Sequence, residues 1–255
     1  MSFIKPQWPA PLDVHAFVTT RSGGISNEPY DTLNLGDHVG DQAPRVLANR
    51  QILRKYIPNE PLWLNQTHST QVSTPLSRSQ SSTHPYEADA AVTNVPNEVL
   101  VIMTADCLPV LFTSSDGCIV GAAHAGWRGL CDGVLENTVS AMQELSAGSQ
   151  SQDFMAWLGP AIGPDSFEVG EDVLEHFQAS GLHDVTQSFI PIADQPGKYL
   201  ANIYQLARDR LESVGIRSIY GGQMCTVTDQ EQFFSYRRDG VTGRFASLIW
   251  IAGQQ

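Results

Sequence analysis

Apolar residues along this chain follow two rhythms. Short apolar runs bounded by Gly, Pro, Asn and Ser read as strands: residues 15–20 (HAFVTT), ended by RSGG, and 62–72 (LWLNQTHSTQV), a strand entering a turn. A strand-rich block follows at 88–94, 99–105, 108–114 and 118–124, with SSDG at 114–117 as the hairpin turn between the last two. Helical spacing predicts helices over 43–57, over 130–145 with Leu130, Val134, Leu135, Thr138, Met142 and Leu145 on one stripe, and over 171–179. The stretch 198–215 predicts another, with Ile203, Leu206, Ala207, Leu211 and Val214 in phase and Gly215 as its stop. Residues 154–160 and 187–192, together with IRSIYGG, QMCTV and ASLIWIA, read as further strands, and the Ser/Thr/Pro-rich stretch 73–87 reads as an exposed loop. No repeat and no linker interrupts the pattern. It predicts one compact domain, residues 1–255, of mixed sheets covered by helices.

Composition narrows the function classes. The chain has 255 residues, 42% of them hydrophobic, enough to bury a sizeable core. A net charge of −12 argues against nucleic acid or an anionic membrane as partner, while a few converging arginines can still hold a small anion. No run of eighteen apolar residues predicts a membrane span, and MSFIKPQWPAPLDV lacks the apolar centre of a signal peptide. Four irregularly spaced cysteines, Cys107, Cys118, Cys131 and Cys225, predict reduced thiols and a cytoplasmic protein. Nothing in the sequence fixes an oligomeric state. Nucleotide-binding glycine loops, G-x-S-x-G and H-E-x-x-H are all absent from the sequence.

Two apolar runs are each broken by one chemically able residue: Cys107 in TADCLPVLF and His124 in GAAHAGWRG. If the strands end together, the pair is a nucleophile with its base, two ligands of a metal, or core filling, since free cysteine is often buried. His68, in LNQTHST, also ends a predicted strand among small and amide side chains. Two histidines and a cysteine would give a tetrahedral zinc three protein ligands and one open position. Asp106, beside Cys107, is a candidate proton carrier. His38 lies in a Gly/Asp loop that can line a site, whereas His15, His84, His176 and His183 receive no role. Arg21, Arg128, Arg237 and Arg238 are flanked by glycine or aromatic residues and are candidates for holding an anion or stacking on a planar ring.

Seven motifs appear in order along the chain: TRSGGIS…PYDTLNLGDHVGD, WLNQTHS, MTADCLPVLF, AAHAGWRG, WLGPAIG, FEVG and FFSYRRDGVTGR. Together, over roughly residues 6–251, they closely resemble the bacterial YfiH-type family, also called the laccase-domain or polyphenol-oxidase family. The resemblance implies an α+β fold, a four-layer α/β/β/α sandwich with mixed β-sheets related to a bacterial toxin domain with a Cys/His pair. It implies a zinc-dependent enzyme that phosphorolyses adenosine, inosine and guanosine to base and ribose 1-phosphate, cleaves methylthioadenosine and deaminates adenosine. Its three zinc ligands fall on His68, Cys107 and His124. Within that reading Asn34, Arg50 and Arg237 are the candidates for phosphate or ribose, and Asp106 for the proton shuttle. The alternatives are a Cys107/His124 cysteine hydrolase editing a peptidoglycan precursor, and a non-catalytic zinc-stabilised adaptor. Copper is disfavoured: a multicopper oxidase needs about ten histidine ligands, largely as His-x-His pairs, whereas this chain has seven histidines and no such pair.

Overall fold

A computed structural model describes residues 2–82, 84–146, 153–182 and 184–253. Its apolar runs pair into two large sheets. The first has the order β1 (Phe3–Ile4), β2 (Val14–Thr19), β16 (Phe245–Ile251), β8 (Val99–Thr104), β3 (Pro61–Leu62), antiparallel except where β3 joins β8. The second has the order β15 (Ser218–Gly221), β11 (Phe154–Leu158), β9 (Leu108–Ser114), β10 (Val120–Ala125), β7 (Ala90–Thr93), β5 (Val72–Ser73), with β15 and β5 as parallel edges. A small sheet joins β12 (Glu168–Gly170), β14 (Lys198–Ala201) and β13 (Phe189–Pro191), and β4 (Leu64–Asn65) pairs with β6 (Tyr86–Glu87).

Strand alternation explains why both faces of the large sheets are apolar. In β8, Leu100 and Ile102 join a cluster that also holds Leu111, Val120 and Ala122 of the second sheet, so the two sheets share that core. Val99, Val101 and Met103 turn to the opposite face, where they meet Leu53 of α1 (Ala43–Arg54). In β9, Val110 and Phe112 turn away from the shared core toward α3 (Trp127–Asp132), α4 (Val134–Leu145), α5 (Glu171–Ala179) and α6 (Ile203–Ser213). The mixed α+β class is as the sequence predicts. No helix among the described residues is long and apolar enough to cross a membrane.

Several elements differ from the pattern reading. The strand expected over 62–72 is three short pieces, because the segment between β4 and β5 is tied elsewhere: the Gln66 amide both accepts from and donates to the Met103 backbone at 2.9 Å, standing in for a neighbouring strand. The loop expected over 73–87 contains α2 (Pro75–Gln80). Thr74 and Ser77 form a reciprocal capping box there, and buried Arg78 meets Glu98 at 2.6 Å. The helix expected over 130–145 begins earlier and breaks at Gly133, whose φ of +100° ends α3 and starts α4. In 198–215 the first four residues form β14, and α6 starts only after Asn202, whose side chain accepts from the Gln205 N–H. Helix α1 ends at Arg54, and QMCTV makes one isolated bridge, Ala161 to Cys225, rather than a strand. The last helix, α7 (Tyr236–Asp239), is a single turn capped by Ser235.

Candidate metal centre

Three separate stretches of chain deliver His68, Cys107 and His124 to one place, with their ligand atoms all within 4.8 Å of one another. Cys107 sits in the turn from β8 to β9. His124 lies opposite Pro109 in the antiparallel register of β10 with β9, which brings it beside the start of β9. His68 sits in the irregular segment after β4 with φ of +62°, and Asp106 has φ of +93°. Left-handed backbone in non-glycine residues is uncommon and requires local support.

Asp89, fully buried just before β7, supplies that support for His68. Its Oδ1 accepts from the His68 N–H at 3.0 Å and lies 2.8 Å from His124 Nδ1. Its Oδ2 accepts from the backbone N–H groups of Thr67 and Ser69 and from the Ser69 hydroxyl. One carboxylate therefore fixes the His68 turn, orients the His124 ring and leaves Nε2 of that ring to face inward. Burial alone would raise the Asp89 pKa, but the hydrogen bonds from His124 and Ser69 prevail and hold it at about 2. Burial likewise works against the Cys107 thiolate, yet the neighbouring His124 and His68 bring its pKa down to about 6. Burial opposes protonation of His124, while Cys107 and Asp89 lift it to about 9.

The donor set fits a tetrahedral cation. Zinc ligation places S and N ligand atoms about 3.5 Å apart, and Cys107 Sγ already lies 3.7 Å from His68 Nε2. The backbone leaves room for these side chains: a Cβ on Gly126 would sit 2.7 Å from His68 Cδ2 and 3.1 Å from Cys107 Sγ. Buried His124 forms the floor and exposed His68 the rim, so the group opens to solvent on one side.

The supporting candidates have different surroundings. The Asp106 carboxylate accepts from the Thr226 hydroxyl at 2.6 Å and from the Arg237 backbone N–H at 2.7 Å, pinning α7 beside the Cys107 turn. Arg237 directs its guanidinium to the carbonyls of Ser166 and Glu168. Asn34 is fully buried; its amide donates to Gly36 O and Asp41 and accepts from the N–H groups of Gly36 and Arg244. Arg50 donates to Leu35 O, meets Asp37 at 3.2 Å and stacks 3.9 Å above Trp63. Arg238 spans the carbonyls of Thr226, Val227 and Phe233, and Arg21 grips Asp31 and the Gln230 carbonyl. Arg128 rests 4.3 Å over Trp127. His15 stacks on Trp250, His84 meets Tyr86 and His176 meets Trp127 edge to face, while His183 lies outside the described residues.

Two residues that sequence reasoning passed over adjoin this group. Asp89 is one; its signal is a single charge opening the otherwise apolar ADAAVTN. Arg244 is the other. Its guanidinium is in electrostatic reach of Cys107, Asp106, Tyr30 and Tyr236, and of His38 in the Gly/Asp loop. It hydrogen-bonds the Thr242 and Gly243 carbonyls and has no carboxylate partner among the described residues. Gly36 admits its stem: a Cβ there would lie 2.9 Å from Arg244 Cγ.

The chain matches known proteins over nearly its whole length. A family described as multi-copper polyphenol oxidoreductase laccase matches residues 15–252. A Haemophilus influenzae protein named purine nucleoside phosphorylase is 52% identical, the match covering 98% of this chain and 100% of that protein. The Escherichia coli K12 protein named purine nucleoside phosphorylase YfiH is 50% identical, over 97% of this chain and 98% of that one. A crystal structure of a Neisseria meningitidis protein of the DUF152 family superposes with a TM-score of 0.89 at 45% identity, covering 99% of this chain and 100% of that chain.

Proposed function

The chain belongs to the laccase-like family whose relatives include the YfiH purine nucleoside phosphorylases, and from that premise we propose that it cleaves purine nucleosides with phosphate at the His68–Cys107–His124 centre. The observation that carries this reading is the three-ligand group with its Asp89 brace. The proposed substrates are adenosine, inosine, guanosine and methylthioadenosine, with deamination of adenosine as a second activity. The proposed metal is zinc. A His2Cys set also suits a blue-copper ion, but a laccase needs a trinuclear copper cluster as well. This group is the one found among the described residues, and the chain has seven histidines in all.

When bound, zinc would supply Lewis-acid polarisation of an oxygen at its open position. The chain's own residues do the rest. Asp89 holds two of the three ligands in register before substrate arrives. Arg244, lacking a carboxylate of its own, is the cation best placed to neutralise phosphate, and Asn34 and Gly36 serve it by fixing its backbone and admitting its stem. In the reaction an oxygen of dihydrogen phosphate bonds to ribose C1′ as the bond from C1′ to the purine nitrogen breaks, and the proton carried by phosphate passes to that nitrogen, giving ribose 1-phosphate and free base. Asp106 acts through position: its two oxygens hold Thr226 and the first turn of α7.

One observation favours a second reading. Cys107, His124 and Asp89 stand in the order of nucleophile, base and orienting carboxylate, as a cysteine hydrolase requires. That reading gives His68 no essential task. The test is incubation of the purified chain with inosine, with and without phosphate. The expected result is hypoxanthine and ribose 1-phosphate in equal amounts, only when phosphate is present. No consumption of any purine nucleoside would overturn the proposal.

A further inference from the structure

Tyr236 is a large aromatic residue left 62% exposed at the first position of α7. Its phenol makes no hydrogen bond among the described residues, so ring and hydroxyl alike are open to a ligand. The location of Tyr236 is specific. The next residue, Arg237, donates its backbone N–H to Asp106 at 2.7 Å, and Asp106 directly precedes Cys107. Tyr236 also shares with Cys107 the neighbourhood of the Arg244 guanidinium. An exposed aromatic side chain therefore stands one residue from the backbone hydrogen bond to the Cys107 turn and in electrostatic reach of the Arg244 cation. A flat, partly apolar ring attached to a group that meets the cation would use both.

We propose that Tyr236 is a substrate-binding residue of this site, the surface on which the purine ring of the substrate stacks. The inference rests on the purine nucleoside reading above. Stacking is tolerant of ring substituents, because every base has a π-face, so it accepts the different purines alike and singles out none of them. The phenol hydroxyl has no necessary part.

The test compares zinc-loaded wild type with Tyr236→Ala, Tyr236→Leu and Tyr236→Phe, checked for equal zinc content. The readouts are KM for inosine, KM for phosphate, and equilibrium binding of inosine by calorimetry. Expected are a rise of about tenfold in inosine KM and Kd for the alanine variant, the order of one base–aromatic stack, a smaller recovery with leucine, and rescue by phenylalanine. The phosphate KM should move less than about twofold. Inosine affinity unchanged in Tyr236→Ala, or lost equally in Tyr236→Phe, overturns the stacking role while leaving the nucleoside reading intact. A wild-type protein that neither binds nor converts any purine nucleoside removes both.

Discussion

Asp89 is the residue through which the sequence becomes a site. It is fully buried, yet its charge persists because donors from His124, Thr67, His68 and Ser69 surround it. In Asp89→Asn, one of the three backbone donors meets an amide NH2 instead of an oxygen, and His124 loses its anionic partner. The expected outcome is a fall in zinc affinity of about 10- to 100-fold, the usual effect of removing such a partner, measured by competition with a chromophoric chelator. The acid stability of metal-free protein should change too. A carboxylate held at about 2 contributes stability that is complete above its unfolded value, about 3.9, and that drains away as pH falls toward 2. Wild type should lose that increment in thermal melts over this range, and the asparagine variant should not. At this scale Cys107, His68 and His124 were legible, since each interrupts an apolar run or ends a strand. Asp89 was hidden because a lone acid at the start of a strand looks like turn chemistry. Arg244 was hidden behind Arg237 and Arg238, whose aromatic setting is more conspicuous but whose guanidinium groups are taken up by backbone carbonyls.

Among the elements, the β-strands of the central block and α5 were readable from the apolar pattern, because continuous apolar runs and a helical stripe there coincide with burial. The failures came where one side chain redirects the backbone. Asn202 ends β14 and caps α6 within a stretch that is continuously helical in pattern, and Gly133 divides α3 from α4. The junction of β10 with α3 matters most for function. Gly126 there has φ of −62°, a conformation alanine also adopts, so the cost of Gly126→Ala falls on the site rather than on the backbone. The added Cβ would displace the His68 ring. We expect zinc affinity to drop at least tenfold while the metal-free protein melts within a few degrees of wild type, the loss of a glycine N-cap being worth about 1 kcal/mol or less. Equal zinc affinity in the two proteins would show that His68 does not approach Gly126 as described.

For the molecule as a whole, an acidic chain of net charge −12 leaves Arg244 without an ion-paired carboxylate among the described residues, in electrostatic reach of Cys107 in the group that could hold a metal. Two sheets back to back, with apolar clusters on their outer faces, hold the strand ends that carry Cys107 and His124. That arrangement sets the spacing before any ion binds. The measurement that tests the account most directly is a zinc titration of chelator-treated protein, following phosphate-dependent cleavage of inosine at each addition. The expected result is negligible rate without metal, a linear rise to one zinc per chain, and a plateau beyond it, with Cys107→Ala inactive throughout. A rate that survives chelation, or that returns with copper and not with zinc, would contradict it.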